Sequence, residues 1–206
     1  MYARSTTFRA RPGTLDDGIG YVRDEVFPAS IAVQGCVGLS MICDRETRRC
    51  ITTSAWSTQE ARESSGRTMR PLLDRGAEIF DAEPVVDLWE IVLLHRHASF
   101  GEGACVRSTW LTVDVEALTE AIKTYRVVML PALQEMGGFC SISLMVDRAT
   151  GRAVSWATFE SRETMVASRP AAERLRSLRL GNLGATVTDI QEFELVLEHL
   201  DVPEVG

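Results

Sequence analysis

The chain has 206 residues, 45% of them hydrophobic and 25% charged, with a formal net charge of −7. That is enough apolar material for one substantial core or two small ones. Net acidity, with the 22 Lys and Arg dispersed among acids, excludes the clustered cations that a nucleic-acid backbone or an anionic membrane surface requires.

Residues 2–10 are rich in β-branched and aromatic types and are closed by Arg11-Pro12-Gly13, which predicts a strand. Residues 14–33 read as a helix: Thr14 can cap it, Asp16 and Asp17 suit its first turn, and Leu15, Ile19, Val22 and Val26 recur at helical spacing. Pro28 is expected to kink or end it. Gly35 opens a strand through Cys43, and a turn then leads to a strand over 50–57. A helix follows over roughly 58–80, and a long strand over 85–97. Residues 98–104, with two glycines, form a linker.

The rest of the chain replays this order. The hairpin and helix start Asp44–Glu60 is echoed by Asp147–Glu163, an offset of 103 positions. Leu15, Ile19 and Arg23 match Leu118, Ile122 and Arg126, Pro28 matches Pro131, and Gly35 matches Gly138. One residue is lost in the second long helix, after which Asp87, Glu90 and His97 match Asp189, Glu192 and His199. Turn, proline and helix-face positions coincide together, so the chain is a tandem repeat. Each copy reads β-α-β-β-α-β, the ferredoxin-like unit, over residues 1–97 and 105–206. Its helices cover one face of an antiparallel sheet and leave the other face to be buried. The expected fold is therefore α+β, an intramolecular pseudo-dimer of two such units; further self-association is left open.

The stretches Pro28–Gly38 and Pro131–Ser141, the Asp44 and Asp147 hairpins, and the segments Trp56–Glu60 and Phe159–Glu163 together resemble the antibiotic-biosynthesis monooxygenase (ABM) domain of the dimeric α/β-barrel superfamily, present twice. The resemblance implies a barrel-like pairing of the two units. It implies one of several activities: cofactor-free oxygenation of polycyclic phenols, quinol oxygenation, haem degradation, or none. The haem-degrading branch uses an asparagine on the first strand and a tryptophan and a histidine on the second helix. Those positions fall on Thr6 and Thr109, Ser64 and Ala167, and Arg75 and Leu178. None matches, and haem degradation is set aside.

The cofactor-free reading implies an apolar pocket with aromatic walls and groups that hold or deprotonate a phenol. Candidates are Arg4 and Arg107 to stabilise a phenolate, with Thr6, Trp56, Thr109, Trp156 and Phe159 lining the pocket. The small residues Thr52, Ser54, Ser155 and Ala157 beside the aromatics leave room for a cavity or simply admit a helix. Core packing is the competing reading for the aromatics, and β-propensity for the threonines. With Trp110, Trp156 and Phe159 the second copy is the more aromatic, and divergence lets one pocket survive while the other becomes structural.

His95 and His97 alternate on one strand face, but no third ligand is placed near them. No metal or cofactor is expected. Cys43 and Cys50 flank the first hairpin and could face each other; Val146 and Ala153 in the second copy favour a packing role. The five cysteines are odd in number and lack CxxC spacing. No apolar run is long enough to span a bilayer, and the first residues lack the apolar core of a signal peptide, so a cytoplasmic location is expected. The expected function is a cofactor-independent monooxygenase acting on an aromatic or quinol-like small molecule. The alternative is a binding or interaction protein that keeps the fold without the chemistry.

Overall fold

The computed structural model describes residues 1–181 and 184–200. In chain order the first copy contains β1 (Tyr2–Arg9), α1 (Leu15–Tyr21), a π-helical turn (Val22–Val26), α2 (Phe27–Ile31), β2 (Cys36–Asp44), β3 (Arg49–Trp56), α3 (Gln59–Phe80) and β4 (Val85–Arg96). The second contains β5 (Cys105–Val113), α4 (Leu118–Thr124), a π-helical turn (Tyr125–Met129), α5 (Leu130–Gln134), β6 (Phe139–Asp147), β7 (Arg152–Phe159), α6 (Arg162–Ala167), α7 (Arg169–Arg179) and β8 (Ala185–Leu200). The fold is α+β, a tandem ferredoxin-like duplication of the dimeric α/β-barrel class.

The chain forms two compact units, and the division falls inside strands: one holds Met1–Trp89 and the end of β8 from Leu195, the other Glu90–Glu194. Strand neighbours are β4-β1-β3-β2-β8 in the first unit and β8-β5-β7-β6-β4 in the second. The matched registers repeat. Arg4 faces Ser54 across β1 and β3, and Arg107 faces Ala157 across β5 and β7.

Local chemistry explains the elements. In both hairpins an aspartate side chain ties the turn: Asp44 accepts from the Glu46 amide at 2.9 Å and the Thr47 hydroxyl at 2.6 Å. Asp147 accepts from the Ala149 amide at 3.0 Å and the Thr150 hydroxyl at 2.6 Å. Thr58 and Ser161 cap α3 and α6 by accepting from the amides of Ala61 and Thr164.

Three expectations change. Thr14 does not cap α1; its hydroxyl donates instead to the carbonyls of Arg11 and Phe80. Pro28 does not end its helix. A π turn precedes it, as another precedes Pro131, and the wider turn relieves the clash between the ring and the preceding carbonyls, so the helix continues to Ile31. The second long helix is not continuous: it is divided at Ser168 into α6 and α7, with Pro170 in the first turn of α7, where its missing N–H is tolerated. Pro71 sits within an unbroken α3.

Each unit has its own apolar core. In the first, Phe8, Leu39, Met41, Cys43, Cys50 and Phe80 pack together, with the Phe8 and Phe80 rings stacked at 4.5 Å. In the second, Leu111, Tyr125, Met129, Leu133, Ile142 and Phe159 are buried together.

Candidate functional site

In the first unit the sheet and its helices enclose an apolar cavity of about 240 Å³. Alternation along the strands puts Arg4, Thr6 and Phe8 of β1 and Thr52 and Ser54 of β3 on its floor. The π turn and α2 bring Val22, Val26 and Ser30 over it, and α3 closes the far side with Met69, Leu73 and Phe80. Gly66 and Gly76 of α3 also face it; a Cβ there would make ordinary contact, 3.6 Å from the Arg4 guanidinium and 3.4 Å from the Phe8 ring.

Arg4 is the half-buried cation of this cavity. Its guanidinium donates to Ser65 Oγ at 3.0 Å and to the Arg62 carbonyl. Burial, and then repulsion from the Arg62 charge, lower its pKa below the usual arginine value. No carboxylate pairs with it among the described residues. Arg62, itself buried, donates to the Trp89 carbonyl at 3.1 Å, lies over the Tyr2 ring at 5.5 Å and leaves its Nε without a partner. Arg62 stands behind the wall rather than in it, and its Nη2 lies 3.9 Å from Glu63 Oε1, so Arg4 is the cation that the cavity itself presents.

Tyr21 also lines the cavity, but its hydroxyl is committed to the Leu72 carbonyl at 2.9 Å, and burial followed by the Glu25 charge raises its pKa. No carboxylate or imidazole is among the described lining residues.

The corresponding place in the second unit is nearly filled, with about 30 Å³ of space. Arg107 repeats the Arg4 geometry, donating to Ser168 Oγ at 2.9 Å and to the Met165 carbonyl. It adds a partly buried ion pair with Glu192 at 3.0 Å. Burial alone would push the Glu192 carboxyl up; hydrogen bonds and charge from Arg169 and Arg107 instead hold it below the usual carboxylate range. The space itself is lost to larger side chains. Val22, Val26 and Ser30 are replaced by Tyr125, Met129 and Leu133, and Leu73 by Arg176. Tyr125 reaches across to Ser155 Oγ at 2.7 Å.

Thus Arg4 and Thr6 line the open cavity, and Arg107, Thr109 and Phe159 line the filled one. Trp56 lines neither: it lies at the end of β3, fully buried, and its indole N–H turns back to Ser54 Oγ at 3.0 Å. Trp156 lines neither, because it alternates with Ser155 and Ala157 and so occupies the opposite strand face; Trp110 is out of phase with Thr109 and Leu111 in the same way. The histidines stand elsewhere, His95 bonded to Gln134 at 2.8 Å and His97 against Phe139. Val22, Val26 and Ser30, and Arg62 behind Arg4, were not foreseen. Comparing the two copies position by position, where small residues in one oppose large ones in the other, would have found the first three.

No family model matches the chain. Rv2558 of Mycobacterium tuberculosis, described as an uncharacterized protein, is 49% identical over 206 residues, covering 100% of this chain and 87% of that protein. Rv2557 of the same organism, likewise described, is 45% identical over 205 residues, covering 100% and 92%. Among solved structures, a candidate monooxygenase from Lactobacillus acidophilus matches with a TM-score of 0.69 at 10% identity, over 97% of this chain and 96% of that one. An anthrone oxidase-like protein matches at 0.65 and 12% identity, over 97% and 93%. A Listeria monocytogenes ferredoxin-fold protein related to antibiotic biosynthesis monooxygenases matches at 0.54 and 8% identity, over 95% of each. At such identities the likeness is one of fold. No helix among the described residues is long and apolar enough to cross a membrane.

Proposed function

The chain belongs to the family of Rv2558 and Rv2557 and carries two ABM-type ferredoxin-like repeats, and from its first-repeat cavity we propose a cofactor-independent monooxygenase acting on an aromatic or quinol-like small molecule. The observation that carries this reading is Arg4, a guanidinium without a carboxylate partner among the described residues, on the floor of an apolar cavity. A phenol entering with its oxygen toward Arg4 gains a charge-assisted hydrogen bond only when ionised. The site therefore lowers the phenol's own pKa, and the electron-rich phenolate is the species that reduces oxygen. Thr6, Thr52 and Ser54 supply further hydroxyls on the floor. A cavity of about 240 Å³ lies just below the ~300 Å³ at which ligand pockets commonly begin, which suits one or two rings. The monooxygenase and anthrone oxidase-like descriptions of the fold neighbours support the reaction class.

A second reading is favoured by one specific feature: no carboxylate or imidazole is among the described lining residues to take the phenolic proton. In this reading the cavity binds an aromatic anion and does no chemistry on it.

Oxygen uptake against a panel of hydroquinones and hydroxynaphthalenes tests the pair. Turnover that falls roughly 10- to 100-fold in Arg4→Ala, the range for losing a hydrogen bond to a charged group, establishes the enzyme. Binding by calorimetry with no uptake on any compound establishes the second reading. Turnover unchanged in Arg4→Ala removes Arg4 from the site.

A further inference from the structure

The first hairpin holds a second feature that the cavity does not use. Cys43 and Cys50 stand directly opposite each other in the antiparallel register of β2 and β3. Both are almost wholly buried, and their sulfurs are 2.6 Å apart. The two thiols are thus in direct contact, both reduced. Directly opposed antiparallel residues have Cα atoms about 4.5 or 5.5 Å apart, and both values lie inside the range that a disulfide spans without moving the backbone. The second hairpin has Val146 opposite Ala153 at the same register, so the fold does not require cysteines here. The remaining thiols face other partners: Cys36, Cys105 and Cys140 each lie against a nearby glycine carbonyl.

We propose that Cys43 and Cys50 form a dithiol–disulfide site oxidised by a hydroperoxide. One sulfur, as thiolate, attacks a peroxide oxygen; the O–O bond breaks, a sulfenic acid forms, and the departing oxygen leaves as water or alcohol. The second sulfur attacks the first, the S–O bond breaks, and a water leaves. Two thiols lose two electrons and two protons, and hydrogen peroxide becomes two waters. Arg45 and Glu46 at the tip are exposed, so opening only the hairpin end admits the oxidant. The link would act on the cavity through its wall. Cys50 is the register partner of Phe8, which lines the cavity and stacks on Phe80.

The test uses the whole protein treated with hydrogen peroxide, then denatured and alkylated. Arg45, Arg48 and Arg49 lie between the two cysteines, so trypsin separates them, and fragmentation of the joined peptides locates the link. The expected product lacks the mass of two hydrogens, joins Cys43 to Cys50, and leaves Cys36, Cys105 and Cys140 open to alkylation. Its melting midpoint rises by on the order of 5 °C and returns on reduction with dithiothreitol. Cys50→Ala, which copies the residue of the second hairpin, should show neither the link nor the shift. All five cysteines alkylated after peroxide, a link from Cys43 to another cysteine, or the same shift in Cys50→Ala would each overturn the proposal.

Discussion

Arg4 and Arg107 hold the same two partners one repeat apart, a serine hydroxyl and a carbonyl three residues before that serine, and differ in a third. Arg107 is neutralised by Glu192, whereas Arg4 faces a second guanidinium, Arg62. One fold position thus holds an ion pair in one copy and, in the other, a guanidinium with no carboxylate partner among the described residues.

Removing either arginine should therefore have different consequences. Arg107→Ala removes a buried guanidinium with its hydrogen bonds to Ser168 and the Met165 carbonyl and leaves half-buried Glu192 with the more exposed Arg169, and is expected to cost about 2 kcal/mol or more. Arg4→Ala removes hydrogen bonds to a serine and a carbonyl but also relieves repulsion, and is expected to cost about 1 kcal/mol or less. Urea unfolding of the two variants beside the parent protein measures both.

The open cavity should be convertible into the filled one. Val26→Met with Ser30→Leu installs the residues of the second copy at Met129 and Leu133. Binding of aromatic anions should fall at least tenfold in titration calorimetry, while the melting temperature holds within a few degrees, since the added side chains occupy existing space.

Alkaline pH should single out Tyr125. Burial raises its pKa to about 12, against a weaker opposing effect of the Ser155 hydrogen bond. The folded state holds the proton more tightly than an unfolded chain with a pKa near ~10. Its contribution is intact below about pH 10 and disappears as pH rises through about 12, roughly 2 to 3 kcal/mol in all. Chemical denaturation across that window should show a shallower decline for Tyr125→Phe than for the parent.

Gly35 and Gly138 lead equivalent strands with φ of 85° and 73°. A Cβ at Gly35 would stand 2.6 Å from the Ala61 methyl, and one at Gly138 2.5 Å from the Thr164 side chain. Alanine at either position meets both an unfavourable backbone region and an overlap, and should destabilise by about 2 kcal/mol or more, measurable as a lowered urea midpoint.

The duplication was legible because proline, glycine and hairpin aspartate are read by the backbone and tolerate few substitutes. Strand alternation and capping residues placed the elements to within a residue or two. What the pattern could not carry was volume. Val22 and Tyr125, or Val26 and Met129, satisfy the same helical periodicity, yet one pair leaves space and the other removes it. Aromatic content pointed to the second copy for a similar reason. Trp110 and Trp156 count toward composition, but strand parity turns both from the cavity face. Arg62 was hidden because its role depends on the position of Arg4, some 58 residues away in sequence.

The unit boundaries within β4 and β8 bear on how the chain can be divided. A cut at the linker would strip the first unit of the strand segment that begins at Leu195.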